Sequence, residues 1–207
     1  MSFTEEMLGL LRESLKNELS EKRFEHSLGV EIAALSIAKY FPDIPKDQLS
    51  AAALLHDVAK ELPNEEQTRL ALTYCVECTN DVFLAPQVLH AFAAPGRILE
   101  KYSDFATEEI LSAVKKHTTG DEMMSIFDMI IFVADYIEPG RTYPGCIAVR
   151  EALFAALSQA KSRGECEMAL NLACINEIDE TIKSLRRLGQ EIDGRTLKVR
   201  NVIASLI

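Results

Sequence analysis

The sequence predicts an all-α protein, on three observations. Apolar residues recur at spacings of three and four along most of the chain. Helix starts and stops punctuate those stretches at short intervals. Little in the chain alternates with a period of two, so a sheet is not expected.

The elements follow in order. Residues Glu21 to Tyr40 carry Phe24, Leu28, Ile32, Leu35 and Ile37 on a broad apolar stripe. Asp47 to Leu62 contains Ala51-Ala52-Ala53-Leu54-Leu55, apolar on all sides, and reads as a helix buried at the centre. Pro86 stands where a first helical turn tolerates proline, so a helix from there to about Tyr102 is expected. Thr107-Glu108-Glu109 is a cap with acids behind it, starting a helix that runs to His117. Ser125 to Ile137 is a strongly apolar helix stopped by Pro139-Gly140. A helical pair fills Ile147 to Leu188 with a break near Gly164, and Ile192 to Ile207 is ambiguous. No linker, repeat or low-complexity tract divides the chain, so residues 1–207 read as one domain ending in a C-terminal helical extension.

Composition narrows the function classes. At 207 residues with 48% hydrophobic and 26% charged residues, the chain can bury a sizeable core and is neither disordered nor fibrous. The 32 acidic against 22 basic residues give a net charge of −10, which argues against nucleic acid and against anionic membranes as partners. An anionic substrate would therefore need local cations or metals. Met1 to Lys16 has no basic start followed by an apolar block, and no apolar run approaches the ~18 residues of a membrane span. A cytoplasmic protein is expected. Five cysteines with scattered spacing make a poor disulfide framework, and the Cys75–Cys78 pair has no second pair for zinc. Ordinary thiols are the expectation there. Neither GxxxxGK[ST] nor GxGxxG occurs, so P-loop and Rossmann readings fall away.

The chemistry gathers on few residues. The four histidines, His26, His56, His90 and His117, each sit where the helical pattern would bury them. One buried histidine alone is more often a hydrogen-bonded core residue than a ligand. Asp135, one turn after Ile131 and Phe132, and Asp57, beside the Ala-Leu run, alter that reading. A buried carboxylate is costly unless a charge or a metal compensates it. Two buried acids with several imidazoles suit a divalent metal, and mixed nitrogen and oxygen donors favour iron, manganese, zinc or nickel over calcium or magnesium. Lys60, four residues after His56 and three after Asp57, is expected on their helix face. Arg23 lies one turn before His26, and Arg141 follows the Pro-Gly break.

His26, His56-Asp57 and Asp135 together resemble the metal-binding signature of the all-helical HD-domain phosphohydrolases, which implies an HD-domain helical bundle. Arg23-Phe24-Glu25-His26-Ser27-Leu28-Gly29-Val30, Leu54-Leu55-His56-Asp57-Val58-Ala59-Lys60-Glu61, His117-Thr118-Thr119-Gly120 and Ala134-Asp135-Tyr136-Ile137-Glu138-Pro139-Gly140-Arg141 look like one branch, the bacterial symmetrical bis(5′-nucleosyl)-tetraphosphatases. The tail from Gly189 to Asn201 fits the same branch, apart from a missing proline near Gly194. The resemblance implies that His26, His56, Asp57 and Asp135 hold a metal, usually iron in this family. It implies that His90 and His117 either hold a second metal, with Asp57 bridging, or contact phosphate directly. Arg23, Lys60 and Arg141 would meet the polyphosphate, with Asp57 and Lys60 as catalytic groups and Asp57 and Asp135 also beside the substrate. The implied reaction is hydrolysis of diadenosine tetraphosphate to two ADP. The alternatives are a phosphohydrolase acting on another nucleotide and a metal-bound nucleotide sensor without turnover. The partner would be a small nucleotide, and a homodimer remains open. The cluster Lys183, Arg186, Arg187, Arg195, Lys198 and Arg200 reads as a solvated helix end rather than a substrate surface.

Overall fold

The computed structural model describes residues 2–75, 86–189, 192 and 194–207. Among these, ten α-helices and two short 3-10 turns are present, and no strand. The helices are α1 (Glu5–Glu18), α2 (Glu21–Ile37), α3 (Lys46–Leu55), α4 (Asn64–Tyr74), α5 (Pro86–Lys101), α6 (Glu108–Lys116), α7 (Ile126–Ile137), α8 (Pro144–Gln159), α9 (Arg163–Arg187) and α10 (Gly194–Ala204).

The all-apolar segment does become the central helix. Every residue of α3 from Gln48 to Leu55 is buried, and the helix packs against α1, α2, α6 and α7. It stops earlier than the sequence suggests. The chain leaves the helix after Leu55, and residues 56–61 are tight turns closed by Val58 N–H to Leu55 O, Lys60 N–H to Asp57 O and Leu62 N–H to Ala59 O. The expectation that Lys60 shares a helix face with His56 is therefore corrected. Three-residue hydrogen bonds tighten the backbone there, and turn geometry aims each of these side chains.

Other boundaries follow their local chemistry. Thr107 caps α6 by accepting from the Ile110 N–H. Ser125 and Asp128 form a reciprocal capping box that starts α7. The break between α8 and α9 falls before Gly164, at residues 160–162, because Ser162 takes the cap position and accepts from the Glu165 N–H. The ambiguous tail is helical as α10, which packs on α9. Two further helices, α1 and α4, arise from segments not read above. On α2 the buried face is Val30, Ala33, Ala34 and Ile37, whereas Ile32 is 57% exposed, so the expected broad stripe is only partly inward.

Buried polar clamps tie this frame together. Glu31 on α2 is buried and accepts from Arg12 on α1 at 2.6 and 3.2 Å and from Ser50 on α3. Lys116 reaches Asp128 at 2.9 Å and the Met123 carbonyl at 2.7 Å, closing the loop that follows His117. In that loop Gly120 has φ +67, a conformation costly for other residues, and an added Cβ would meet Val199 of α10 at 2.9 Å. Cys75, Cys146, Cys166 and Cys174 are free buried thiols, and Cys78 lies outside the described residues. No helix among the described residues is long and apolar enough to cross a membrane.

Candidate metal centre

All four histidines and both acids converge at one place. His26 comes from α2, His56 and Asp57 from the turn that follows α3, His90 from α5, His117 from just past the end of α6, and Asp135 from the last turn of α7. His26 Nε2 is 3.3 Å from His56 Nε2 and 3.0 Å from Asp135 Oδ1. Asp57 Oδ2 lies 3.5 Å from His56 Nε2 and 3.9 Å from His26 Nε2. Its other oxygen, Oδ1, is 3.3 Å from His90 Nε2 and 3.4 Å from His117 Nε2. Three overlapping groups could hold a metal: His26, His56 and Asp57; His56, His117 and Asp135; and Asp57, His90 and His117.

The rings are aimed from behind. His56 Nδ1 donates to the Ala53 carbonyl at 2.7 Å, and His117 Nδ1 donates to the Val114 carbonyl at 2.6 Å. Each bond lies across the last turn of a helix, where carbonyls lack intrahelical partners. Placing the proton on Nδ1 leaves the Nε2 lone pair facing the centre. His26 has the same arrangement with a side chain: its Nδ1 stands 3.3 Å from Glu138 Oε1. His90 differs, since both of its ring nitrogens lie near Lys60 Nζ, at 3.2 and 2.9 Å.

A metal fits this donor set on an observation independent of family. Asp57 is 3% exposed, and its Oδ1 is a buried oxygen without a hydrogen-bond partner. Such an atom is expensive to bury unless a cation or ion ligand satisfies it. Burial also pulls the His90 pKa down to about 4, with His117 and Lys60 adding to the effect, so the ring is a neutral donor at pH 7. Burial likewise lowers the His56 pKa. Burial alone would raise Asp57, but His56, His117 and His90 hold it well below the usual carboxylate range.

The three expected cations stand around the centre. Arg23 Nη1 pairs with Asp57 Oδ2, and Arg141 Nη2 pairs with Asp135 Oδ1 at 2.5 Å. Lys60 Nζ is 4.0 Å from Asp57 Oδ1. The loop carrying Arg141 is braced by Arg150, which donates to the carbonyls of Ile137 at 2.6 Å, Glu138 at 2.6 Å and Arg141 at 2.8 Å. A cleft of about 640 Å³ opens beside the centre, lined by Arg23, His26, Gly29, Glu138, Arg141 and Tyr143 among others.

A search of family models matches the HD domain over residues 23–140. The chain belongs to the HD domain family. It is 34% identical to the symmetrical bis(5′-nucleosyl)-tetraphosphatase of Halalkalibacterium halodurans, covering 90% of this chain and 91% of that one. It is 30% identical to the enzyme of the same name from Bacillus subtilis, covering 92% and 94%. A solved structure from Clostridium acetobutylicum, described as a predicted HD superfamily hydrolase involved in NAD metabolism, superposes with a TM-score of 0.81 at 30% identity over 99% of both chains. These HD-family relatives place the chain among the hydrolases.

Several residues around the centre escaped the sequence reading of roles. Glu138 and Thr118 lie inside quoted blocks, yet nothing in their spacing marks them. Thr118 Oγ1 stands 3.1 Å from His90 Nε2 and 2.9 Å from His117 Nε2. Glu177 is buried on α9, and burial together with the Asp135 charge pushes its carboxyl well above the usual range. Of the expected basic cluster, Lys183 pairs with Glu180 and Arg200 with Asp179, as a solvated helix end would. Its acidic neighbours Glu191 and Asp193 lie outside the described residues.

Proposed function

We propose that this chain hydrolyses diadenosine tetraphosphate symmetrically to two ADP, working as one domain over residues 1–207. His26, His56, Asp57 and Asp135 would hold a divalent transition metal, iron in this reading. The observation that carries the proposal is that His56, Asp57 and Asp135 all lie within 3.9 Å of His26 Nε2, in a chain whose relatives of matching length bear the tetraphosphatase name.

A bound divalent metal supplies a water of lowered pKa and neutralises charge on phosphate oxygens. The side chains supply the rest. Asp57 Oδ1 faces the space between His90 and His117, where it can orient the attacking water by accepting a hydrogen bond from it. Arg23 and Arg141 each keep donors beyond those spent on Asp57 and Asp135, and those donors meet the polyphosphate. Lys60, beside His90, stabilises negative charge growing on the transferred phosphoryl. The water oxygen bonds to an inner phosphorus, and that phosphorus loses its bond to the central bridging oxygen. One ADP departs with the bridging oxygen, the other keeps the water oxygen, and the proton the water gives up passes to solvent. Phosphoryl transfer needs little beyond such alignment and charge. His90 and His117 would either hold a second metal with Asp57 or touch phosphate themselves.

A second reading, a phosphohydrolase acting on a different nucleotide, is favoured by the NAD-metabolism description of the Clostridium relative. Chromatography after incubation with a panel of dinucleoside polyphosphates and nucleoside monophosphates separates the two. ADP as sole product of the tetraphosphate, with monophosphates untouched, supports the first. Nucleoside plus phosphate supports the second.

A further inference from the structure

We propose that Glu138 is a positioning residue that sets the tautomer of His26, and that Gly29 and Gly140 exist to admit its carboxylate. The inference rests on the metal-centre reading, in which a metal takes the Nε2 lone pair of His26.

Glu138 is the residue that ends α7, three positions after Asp135, and it is only 5% exposed. Its two oxygens have different partners. Oε1 lies 3.3 Å from His26 Nδ1, and Oε2 accepts the Gly140 N–H at 2.5 Å. A carboxylate only accepts, so Nδ1 presents its N–H to Glu138, which leaves Nε2, 3.0 Å from Asp135 Oδ1, as the nitrogen that can join that carboxylate on a bound metal. His56 and His117 obtain the same result from backbone carbonyls of their own helices. His26 sits in the first half of α2, where neighbouring carbonyls are already spent on the helix, so its acceptor must come from another element.

The two glycines match this placement. A Cβ on Gly29, one turn after His26, would stand 2.5 Å from Glu138 Oε2 and 3.2 Å from its Cδ. A Cβ on Gly140 would meet Glu138 Oε2 at 2.9 Å and Oε1 at 3.1 Å. Neither glycine has positive φ, so backbone freedom does not explain them. Space for the carboxylate does.

Glu138→Gln keeps the shape but retains one acceptor for two N–H groups. With its oxygen on Gly140, its amide NH2 faces His26 Nδ1 and favours the tautomer protonated on Nε2, which cannot ligate. Outer partners of metal-bound histidines typically change metal affinity by about 10–100-fold. The test uses the full-length protein labelled with 15N in its histidines and loaded with zinc(II), together with cobalt(II) titration of the metal-free protein. In the wild type the His26 Nδ1–H should be protected from solvent exchange by Glu138; in Glu138→Gln that protection should be lost, and the cobalt Kd should rise about 10–100-fold. Gly29→Ala, which displaces the carboxylate without removing it, should do the same. Gly9→Ala, a helical glycine with nothing near its Cβ, should match wild type in both readouts. An unchanged His26 Nδ1–H signal with unchanged Kd in Glu138→Gln overturns the inference, as does a Gly29→Ala protein indistinguishable from Gly9→Ala. A wild type that binds neither cobalt nor zinc overturns the metal reading itself, an outcome distinct from metal binding that Glu138→Gln leaves unchanged.

Discussion

Asp57 Oδ1 stands 3.3 Å from His90 Nε2 and has no hydrogen-bond partner. The same oxygen is 3.4 Å from His117 Nε2, so one carboxylate joins the two halves of the cluster. Oδ2 faces His26 and His56, and Oδ1 faces His90 and His117. A second metal is expected to enter at Oδ1 when phosphate oxygens complete its shell. Metal titration of wild type should therefore pass one equivalent in the presence of ADP, and His90→Ala should stop at one. A wild type that never exceeds one equivalent, with or without ADP, assigns His90 and His117 to direct phosphate contact instead.

His56→Ala and Asp57→Ala should both lose metal. His56 is fully buried and braced on Ala53, so no neighbour can replace its lone pair. Metal binding to the folded state adds stability, and the variants should lose the rise in Tm that metal gives the wild type. Full metal content with a wild-type Tm would remove these residues from the ligand set.

Arg141→Ala should separate binding of metal from turnover. Its guanidinium holds Asp135 from the cleft side, while Arg150 keeps the loop in place without it. Metal content should persist and kcat/KM should fall by about 2–4 kcal/mol of transition-state stabilisation. An unchanged kcat/KM, read by steady-state kinetics, returns Arg141 to the solvated surface.

Glu31 predicts a purely structural effect. It is buried, and Arg12 and Ser50 satisfy it. Arg12→Ala leaves a charge without its main partner, at a cost of about 3 kcal/mol. Denaturant unfolding should show that loss while cobalt affinity stays at the wild-type value.

Glu18 supplies a pH dependence. Burial alone would raise its pKa, but Arg97, Lys101 and Tyr102 hold it below the ordinary value. A pKa lower in the folded state gives stability that is present above the unfolded value, about 4.3, and is lost as pH falls through the folded value. Glu18→Gln should be less stable than wild type at neutral pH, and the gap should close on acidification below about 4.3. A gap that stays constant down to the acid transition contradicts this assignment.

The fold was readable where local signals stand alone. The apolar run that starts at Ser125 and stops at Pro139-Gly140, Thr107 with its acids, and the run Ala51–Leu55 each mark an element by their own chemistry. The ligand-type residues were readable because six polar side chains on apolar faces need a shared explanation. Lys60 lies beside the cluster, but a turn rather than a helix carries it there. Two helices went unread although their starts were present: Thr4 with Glu5 and Glu6, and Pro63 with Glu65 and Glu66. Glu138 and Thr118 were invisible as site residues because their partners, His26 and His90, are 112 and 28 residues away. Only tertiary packing brings such pairs together.

The most direct test of the metal-dependent symmetrical cleavage is a single chromatogram series on diadenosine tetraphosphate. Protein purified without oxygen is assayed as isolated, after chelation, and after iron(II) is restored. The account predicts ADP as sole product before chelation, none after it, and ADP again on restoration. ADP release that survives complete chelation, or AMP and ATP appearing in equal amounts, would contradict it.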